Sequence, residues 1–459
     1  MRITLAHRAA LAALTLATIA AVSACGDTGG VGGVQTPAST PATTPATTAT
    51  TPSSAAPVNL TYWTWFPSDT TLNKVIAAYQ STHPGVTITL REFEAADYQK
   101  QLPLALSGGE AIDIVGVQVS AMTNTVNTVL RPVSEWESYL PANWRTLVEA
   151  KPIEQAQNVS KDKVLYDIPM GSLGSAIMYY NAAMLAELKI PVPKTLADLA
   201  AAAKTIATAK PDVTPVVNAG DPYWQEEMLF SIAGQTNPTL SDDIFYKGTP
   251  WNDPRLVQAL EDYKSMFTSG ALDVATLSLK NPRPTELFTS GKAAFYFDGS
   301  WQNSLLSAAY RDANKIGLTD VGAAGVPVIQ ANGTPSVRAF AEGGLAIPKT
   351  SKHVAEAADF IAYMTMGDGV ALWAPDLVLS PSKSGFVPGS DVLASQAAKD
   401  GFQAVAGLIN AAQSNRDSNQ DFLNSVEGNN ILNVLRGTMT AQAAADDMQT
   451  QWTSGRYPH

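Results

Sequence analysis

Side chains able to carry out covalent or metal chemistry are few in this chain and far apart. Among 459 residues there are four histidines and one cysteine, Cys25. Two of the histidines, His83 and His353, fall inside the part expected to fold, each at a predicted helix boundary. Metal sites and nucleophilic triads need such groups to converge. The sequence therefore favours neither, and one cysteine permits no intramolecular disulfide.

The acidic residues are the remaining candidates for catalysis. A glycosidase needs two carboxylates at a set separation, but the sequence shows no paired carboxylate motif. The glycines at 29–33 do not stand between a strand and a helix, as a phosphate loop requires. Gly171-Ser172-Leu173-Gly174 lacks the Gly-x-Ser-x-Gly pattern of serine hydrolases. We therefore predict that the protein is not an enzyme and holds no cofactor and no metal.

Length and charge narrow the possible partners. A chain of this length suggests two or three domains, or two lobes and a tail, and 45% hydrophobic residues supply a sizeable core. The formal net charge is −11, and no basic run occurs. Nucleic-acid binding needs a basic face. We expect no nucleic-acid partner.

The N-terminal sequence predicts an export signal followed by a lipid anchor. Residues 1–24 begin with Arg2 and Arg8 and continue with an apolar run over 9–22, which is too short to span a membrane. The run ends in Val22-Ser23-Ala24-Cys25, which resembles a bacterial lipobox. We predict that Cys25 is lipidated and holds the protein at the outer face of the cell membrane.

Residues 25–57 follow as a Thr-, Pro- and Ala-rich segment. Such a composition buries too little apolar surface to fold, so a disordered tether is predicted. As a flexible coil it reaches roughly 30 Å, which lets the folded body approach a membrane partner.

The folded body begins at Val58 with an α/β pattern. Alternating apolar residues predict a strand over 58–65, and helical spacing predicts a helix over 70–81. A strand over 86–90, a helix over 97–107 and a strand over 112–115 follow. This order indicates a parallel sheet covered by helices. Further helices are predicted over 195–210, over 253–269 and from 351, with a helix-rich section after 401.

Parallel sheets bind ligands at the carboxyl ends of their strands. Trp65, Phe66 and Asp69 follow the first strand and are candidate ligand contacts. Gln118 follows the strand that contains Asp113 and is a candidate donor to a ligand hydroxyl.

Several motifs follow one another along the chain. They are Tyr62-Trp63-Thr64-Trp65, Leu106-Ser107-Gly108-Gly109 before Asp113-Ile114, Met178-Tyr179-Tyr180-Asn181, Pro193-Lys194-Thr195-Leu196, Phe288-Thr289-Ser290-Gly291-Lys292 before Asp298-Gly299-Ser300-Trp301, and Gly343-Gly344-Leu345-Ala346-Ile347. In this order they resemble the sugar-binding proteins of ABC importers, the group that includes the maltose- and trehalose-binding proteins.

The resemblance implies a periplasmic-binding-protein-like type II fold, with two α/β lobes joined by a hinge and the ligand in the cleft between them. The first lobe would take 58–168 and 330–375, and the second 171–326 and 378–459. The crossings would fall near Pro169 and near Val326-Pro327. A monomer that delivers its ligand to the permease subunits of an importer is expected.

The resemblance also implies site residues. A sugar offers an apolar face for aromatic stacking and a rim of hydroxyls for polar groups. Trp301 stands where the family carries a stacking tryptophan, and Asp221 with Tyr223 stands where it has an acid and an aromatic. Asp298 and Gly344 are expected at the rim. Val117 departs from the family, which has an aromatic there, and this puts the contact of Gln118 in question.

Two alternatives stay open. The same architecture serves other small solutes, and a cationic ligand such as a polyamine suits an acidic cleft. A glycosidase is the second alternative. Ferric ion and phosphate are disfavoured because the clusters of tyrosine, histidine or arginine that they need are not evident.

Overall fold

The structure is a computed structural model and describes residues 57–416 and 420–457. The predicted signal segment, Cys25 and the predicted tether up to Ala56 lie outside the described residues. Within the described ranges, no helix combines the length and apolar character needed to cross a membrane.

In the described part of the chain, ten strands form two sheets. The strands are β1 (Val58–Thr64), β2 (Val86–Glu92), β3 (Ile114–Gln118), β4 (Ile168–Gly174), β5 (Ile177–Asn181), β6 (Thr214–Val217), β7 (Ala293–Asp298), β8 (Val321–Gly325), β9 (Ala339–Ala346) and β10 (Ser380–Pro381).

Helices surround both sheets. They are α1 (Asp69–Thr82), α2 (Ala95–Ser107), α3 (Val119–Val126), α4 (Trp144–Leu147), α5 (Ala150–Val159), α6 (Ala182–Leu188), α7 (Leu196–Ala209), α8 (Pro222–Gly234), α9 (Leu240–Lys247), α10 (Pro254–Thr268), α11 (Arg283–Thr289), α12 (Ala308–Ala313), α13 (Val354–Thr365), α14 (Val370–Trp373), α15 (Gln396–Ala411), α16 (Gln420–Phe422), α17 (Gly428–Leu435) and α18 (Ala441–Trp452). A π-helical turn, Leu423–Glu427, links α16 to α17, and a 3₁₀ helix, Ser300–Leu306, follows β7.

The first sheet has six strands in the order β10-β4-β9-β3-β1-β2. β1 is parallel to both β2 and β3, which confirms the parallel arrangement predicted for these strands. β9 enters the same sheet antiparallel to β3 and to β4, so the sheet as a whole is mixed. Because β1 and β3 run in the same direction, Trp65 and Gln118 emerge at the same edge.

The second sheet has four strands in the order β6-β7-β5-β8. β5 is antiparallel to β7 and β8, and β6 is parallel to β7. Successive residues of β5 and β7 enter different hydrophobic clusters, since side chains alternate across a strand. Met178 and Phe295 join one cluster, and Tyr179 and Tyr296 join the other.

Helix boundaries follow the capping residues in the sequence. Thr195 and Asp198 form a reciprocal capping box at the start of α7. Asp253 caps α10 through the backbone N–H of Arg255, with Pro254 in the first turn. Both starts agree with the predicted helices, because these side chains satisfy N–H groups that a helix terminus leaves unpaired.

Three chain segments lie side by side where the two sheets meet. The backbone N–H of Ser175, which follows β4, donates to the carbonyl of Arg338, which precedes β9, and the N–H of Arg338 donates to the Ser175 hydroxyl. The backbone N–H of Ala339 donates to the carbonyl of Ser414 at 3.1 Å. The chain passes from β4 of the six-stranded sheet to β5 of the four-stranded sheet through Ser175, and Pro169 lies inside β4.

Candidate ligand-binding site

The edge of the six-stranded sheet presents Trp65 on a rigid support. Its half-buried ring lies 5.5 Å from the ring of Tyr98, at an angle of 31°. The Tyr98 hydroxyl donates to the carbonyls of Trp63 and Gly116, which ties β1 to β3 beneath the indole. A Cβ on Gly116 would lie 3.0 Å from the Trp65 ring, so the glycine makes room for it.

The neighbours of Trp65 are placed differently. The Phe66 ring packs edge-on against Trp373 at 6.2 Å, and Trp373 is a core residue. Asp69 begins α1 and is exposed, where its carboxylate accepts from the Thr70 hydroxyl. Of the three residues after β1, Trp65 is therefore the one held against β3.

Gln118 lies at the end of β3 and contacts an acid that the sequence did not single out. Its side-chain amide donates to Glu342 Oε1 at 2.7 Å and accepts from Gln99. Burial raises the pKa of Glu342 to about 7, although Gln118 and Arg416 both favour the charged form. A carboxyl on β9 thus accompanies Gln118 next to Gly343, where the pairing of β9 with β3 begins.

Trp301 lies where the hydrophobic clusters of the two sheets meet. It follows β7 in the 3₁₀ helix and packs, half-buried, against clusters that belong to both sheets. Its ring makes a T-shaped contact with the buried Trp224 at 6.4 Å. The ring also folds over Gly299, where a Cβ would lie 2.2 Å from it.

Asp298 supports the turn that carries Trp301. It is buried, and its Oδ1 accepts from the backbone N–H of Gly299 at 2.8 Å. Its Oδ2 accepts from the Gln302 amide at 2.9 Å and from the Tyr296 hydroxyl. Both oxygens are engaged within the protein, so we assign Asp298 the role of holding the turn.

Asp221 and Tyr223 open α8 on the side of the four-stranded sheet. Oδ2 of Asp221 accepts from the backbone N–H of Asn281 at 2.9 Å, and the Asn281 side chain donates to the Tyr223 hydroxyl. Tyr223 remains 39% exposed. Burial and the carboxylates of Asp221 and Asp298 raise its pKa, while Asn281 and Arg416 lower it. Tyr223 therefore shares an electrostatic environment with the turn of Trp301.

Gly344 has a packing role inside the six-stranded sheet. It pairs with Val117 on one side and Pro169 on the other. A Cβ at this position would lie 1.8 Å from Oδ1 of Asp167. Asp167 is fully buried, and no residue of the described ranges hydrogen-bonds its carboxyl group. Burial raises the pKa of Asp167 to about 7.

Arg416 is a further residue that the sequence did not indicate. Its guanidinium lies 4.7 Å from the centre of the Trp301 ring and 5.1 Å from that of Phe340. Its Nε donates to Glu227 at 2.7 Å. Arg416 thus joins the segment after α15 to the Trp301 turn, α8 and β9.

In the part of the chain that the structure describes, no group of three or more histidine, cysteine, aspartate or glutamate residues is placed to hold a metal ion. The groups that converge near Trp301 are aromatic rings, carboxyl groups, amides and one guanidinium. Such groups suit a neutral polar ligand with an apolar face.

Comparison with known proteins agrees with the fold. The chain is 21% identical, over 312 residues, to an ABC transporter extracellular-binding protein of Pyrococcus horikoshii. The match covers 63% of this chain, and the chain spans 64% of the length of that relative.

Solved structures are similar over most of the chain. The cyclic alpha-maltosyl-1,6-maltose binding protein of Arthrobacter globiformis has a TM-score of 0.64 and 17% identity, covering 86% of this chain and 98% of its own. Maltose-bound MalE3 of T. maritima has a TM-score of 0.62 and 16% identity, with the same two coverages. The GacH receptor of Streptomyces glaucescens has a TM-score of 0.61 and 18% identity, covering 87% and 98%. The predicted α/β fold of the binding-protein type is confirmed.

The family model for bacterial extracellular solute-binding proteins matches residues 74–400. The chain therefore belongs to the bacterial extracellular solute-binding proteins, a family of binding proteins and not of enzymes.

Proposed function

We propose that this protein captures a mono- or oligosaccharide outside the cell and delivers it to the permease of an ABC importer. The observation that carries the proposal is the position of Trp301, half-buried where the hydrophobic clusters of the two sheets meet. Arg416 contacts the Trp301 ring and also interacts electrostatically with Glu342 of the six-stranded sheet and with Tyr223 on α8, so an aromatic ring and polar groups accompany one another. A sugar needs both kinds of contact.

Each sheet contributes a different part of the proposed site. The six-stranded sheet supplies Trp65 as a second ring face and the Gln118–Glu342 pair as hydrogen-bonding groups. The four-stranded sheet supplies Trp301, with Tyr223 and Asp221 at the start of α8. Carboxyl and amide oxygens accept from ligand hydroxyls, and side-chain amides donate to them.

The proposed lobes are 58–168 with 330–375 and 171–326 with 378–459, and they would close over the ligand. The segments around Ser175, Arg338 and Ser414 are the connections available to act as a hinge. Hinge closure around a ligand requires a few element-terminal residues to absorb the change in backbone angles. Closure excludes water and so strengthens each polar contact.

The names of the structural relatives support a sugar as the ligand. They describe binding of a cyclic maltosyl-maltose, of maltose and of acarbose. These ligands are those of the relatives. At such low sequence identity, the comparison establishes only that this chain has the same fold. Together with Trp301 they favour a saccharide over the polyamine alternative.

A thermal-shift screen of the mature chain tests the ligand class. The screen compares monosaccharides, disaccharides, malto-oligosaccharides, polyamines and metal salts. A true ligand stabilises the folded state by RT ln(1 + [L]/Kd), about 2.7 kcal/mol at a hundredfold excess over Kd. We expect a saccharide to raise the unfolding midpoint. A shift only with polyamines or only with metal salts would overturn the proposal.

Variants then test the site. Trp301→Ala should weaken binding of the saccharide found in the screen by about 1–3 kcal/mol in calorimetric titration. Tyr310→Ala is a matched control, because Tyr310 on α12 is 40% exposed and contributes nothing to the proposed site. Equal affinities of the two variants and the wild type would exclude Trp301 as a contact.

We also propose that a lipid on Cys25 anchors the protein and that residues 26–57 tether the body to it. Two acyl chains give stable membrane association where one gives reversible binding. Cys25→Ser should move the protein from the membrane fraction of cells to the medium or soluble fraction. Membrane retention of that variant would exclude the anchor.

A further inference from the structure

A cluster of five charged residues lies behind Trp301. We define the charged cluster as Glu226, Glu227, Arg338, Arg416 and Glu427. Its members come from α8, from the two segments that carry Arg338 and Arg416, and from the π-helical turn. Arg338 and the three glutamates are each less than 9% exposed. Charges in such surroundings persist only when they are paired.

Two glutamates pair with the two arginines. The guanidinium of Arg338 donates to Glu226 and, at 3.0 Å, to Oε2 of Glu227. The other oxygen of Glu227 accepts from Nε of Arg416 at 2.7 Å. Two positive and two negative charges therefore form a continuous chain of ion pairs.

Glu427 is a third carboxyl group in this chain of pairs. It is fully buried at the end of the π-helical turn, which packs against α8, and neither of its oxygens has a hydrogen-bond partner among the described residues. An ionised form would add an unpaired charge to a balanced cluster. The desolvation cost of such a charge favours the neutral acid.

Charged and titratable side chains surround Glu427 on the neighbouring elements. α8 presents Glu226 and Glu227, and the segment before β9 presents Arg338. On α18, Asp447 accepts a hydrogen bond from Asn430 of α17. Burial raises the pKa of Glu427 well above its usual range, and Glu226 and Glu227 raise it further against the opposing effect of Arg338.

The cluster reaches Trp301 through Arg416, whose guanidinium lies against the indole ring. We propose that Glu427 is a positioning residue that carries a buried proton: in its neutral form it leaves Glu227 to hold Arg416 against Trp301. Loss of the proton places a third negative charge beside Arg338 and Glu227, so the pairs rearrange and Arg416 loses its fixed position. The inference does not depend on the identity of the ligand.

The stability of the Glu427→Gln variant as a function of pH tests whether Glu427 keeps its proton in the folded protein. A group whose folded-state pKa is raised contributes stability that is fully present below the unfolded-state pKa, about 4.3 for glutamate, and is lost as the pH rises from there to the folded-state pKa. Glutamine reproduces the neutral acid. The unfolding midpoints of wild type and E427Q should coincide below about pH 4, wild type should fall behind by about 2 °C per pH unit up to the folded-state pKa, and the gap should stay constant above it.

Two further variants distinguish the titration of Glu427 from the general effects of removing a carboxylate. Glu286→Gln removes an exposed carboxylate and should follow the wild type at every pH. Glu226→Gln removes a paired carboxylate and should lower the midpoint at every pH. An E427Q protein that is less stable than wild type at acidic pH, or whose midpoint runs parallel to wild type at all pH values, would overturn the proposal.

Fluorescence tests the link to Trp301. The difference between the spectra of a protein and of its Trp301→Phe variant reports the surroundings of Trp301. In the wild type this difference should change with pH around the value at which the stability gap to E427Q stops widening, and in E427Q it should be constant. A difference spectrum that is constant in wild type, or that changes equally in both backgrounds, would show that Glu427 does not act on Arg416 and Trp301.

Discussion

At the scale of single residues, Trp301 owes its orientation to its own turn. Asp298 accepts hydrogen bonds from Gly299 and Gln302, which fixes the backbone that leads into the 3₁₀ helix. The indole then lies over Gly299, and Arg416 covers it. A ring placed in this way before the ligand arrives costs little entropy on binding.

The contact between Gly299 and Trp301 gives the first prediction. Gly299→Ala would bring a Cβ to 2.2 Å from the ring, so the ring must leave its position. We expect saccharide affinity to fall by about 1–2 kcal/mol in calorimetric titration. In Gly407→Ala, where nothing lies within 4 Å, affinity should be unchanged. Unaltered affinity of the Gly299 variant would show that the ring position is unimportant.

The second prediction concerns the buried carboxyl of Asp167. Its pKa is raised to about 7 by burial, so folded Asp167 keeps a proton that an unfolded aspartate releases above about pH 4, and stability is lost between these two values. Asp167→Asn should match the wild type below about pH 4 and gain about 1.4 kcal/mol on it per pH unit up to pH 7, with a constant difference above. Chemical denaturation across this range measures the difference. Parallel pH profiles would mean that Asp167 finds a partner when charged.

Residue-scale prediction of position from sequence succeeds where a local pattern decides it. Trp65 directly follows β1 and Gln118 is the last residue of β3, so both lie at the carboxyl ends of parallel strands. Glu342 and Arg416 were missed because their partners are 224 and 189 residues away along the chain. A charged residue inside the otherwise apolar β9 was the available signal for Glu342.

At the scale of elements, helices were predictable because their capping residues are local. The starts of α1, α7 and α10 agree with the sequence to within one residue. The place of β9 between β3 and β4 was not predictable, since even its nearest paired residues along the chain, Gly174 and Ala339, are 165 positions apart. Register there depends on Gly344 fitting over Asp167, which no local pattern reveals.

The capping box of α7 supplies an element-scale prediction. Thr195→Ala removes the oxygen that accepts from the backbone N–H of Asp198, so the free energy of unfolding should fall by about 0.5–2 kcal/mol. Thr208→Ala is the matched control within the same helix. Its hydroxyl bonds only the carbonyl of Lys204, and alanine is the better helix former, so stability should hold or rise slightly. Equal losses in both variants would rule out the cap as the cause.

At the scale of the whole molecule, the segments that connect the two sheets lie in the same region as the candidate site. Arg338 joins the crossing segment to α8, and Arg416 joins the segment after α15 to Trp301. A ligand that rearranges the contacts of Trp301 therefore acts directly on the segments proposed as the hinge. Binding and closure would be coupled through these contacts, because a ligand that prefers one arrangement shifts the population toward it.

This coupling predicts that a bound saccharide makes the molecule more compact. Small-angle X-ray scattering of the mature chain should show a smaller radius of gyration at saturating saccharide than without it, because closure brings the proposed lobes together. Trp301→Ala, at the same saccharide concentration, should keep the larger value, and Tyr310→Ala should contract like the wild type. A wild-type protein that binds by calorimetry without contracting would show that the cleft closes before the ligand enters or does not close at all, and either result would remove the hinge from the mechanism.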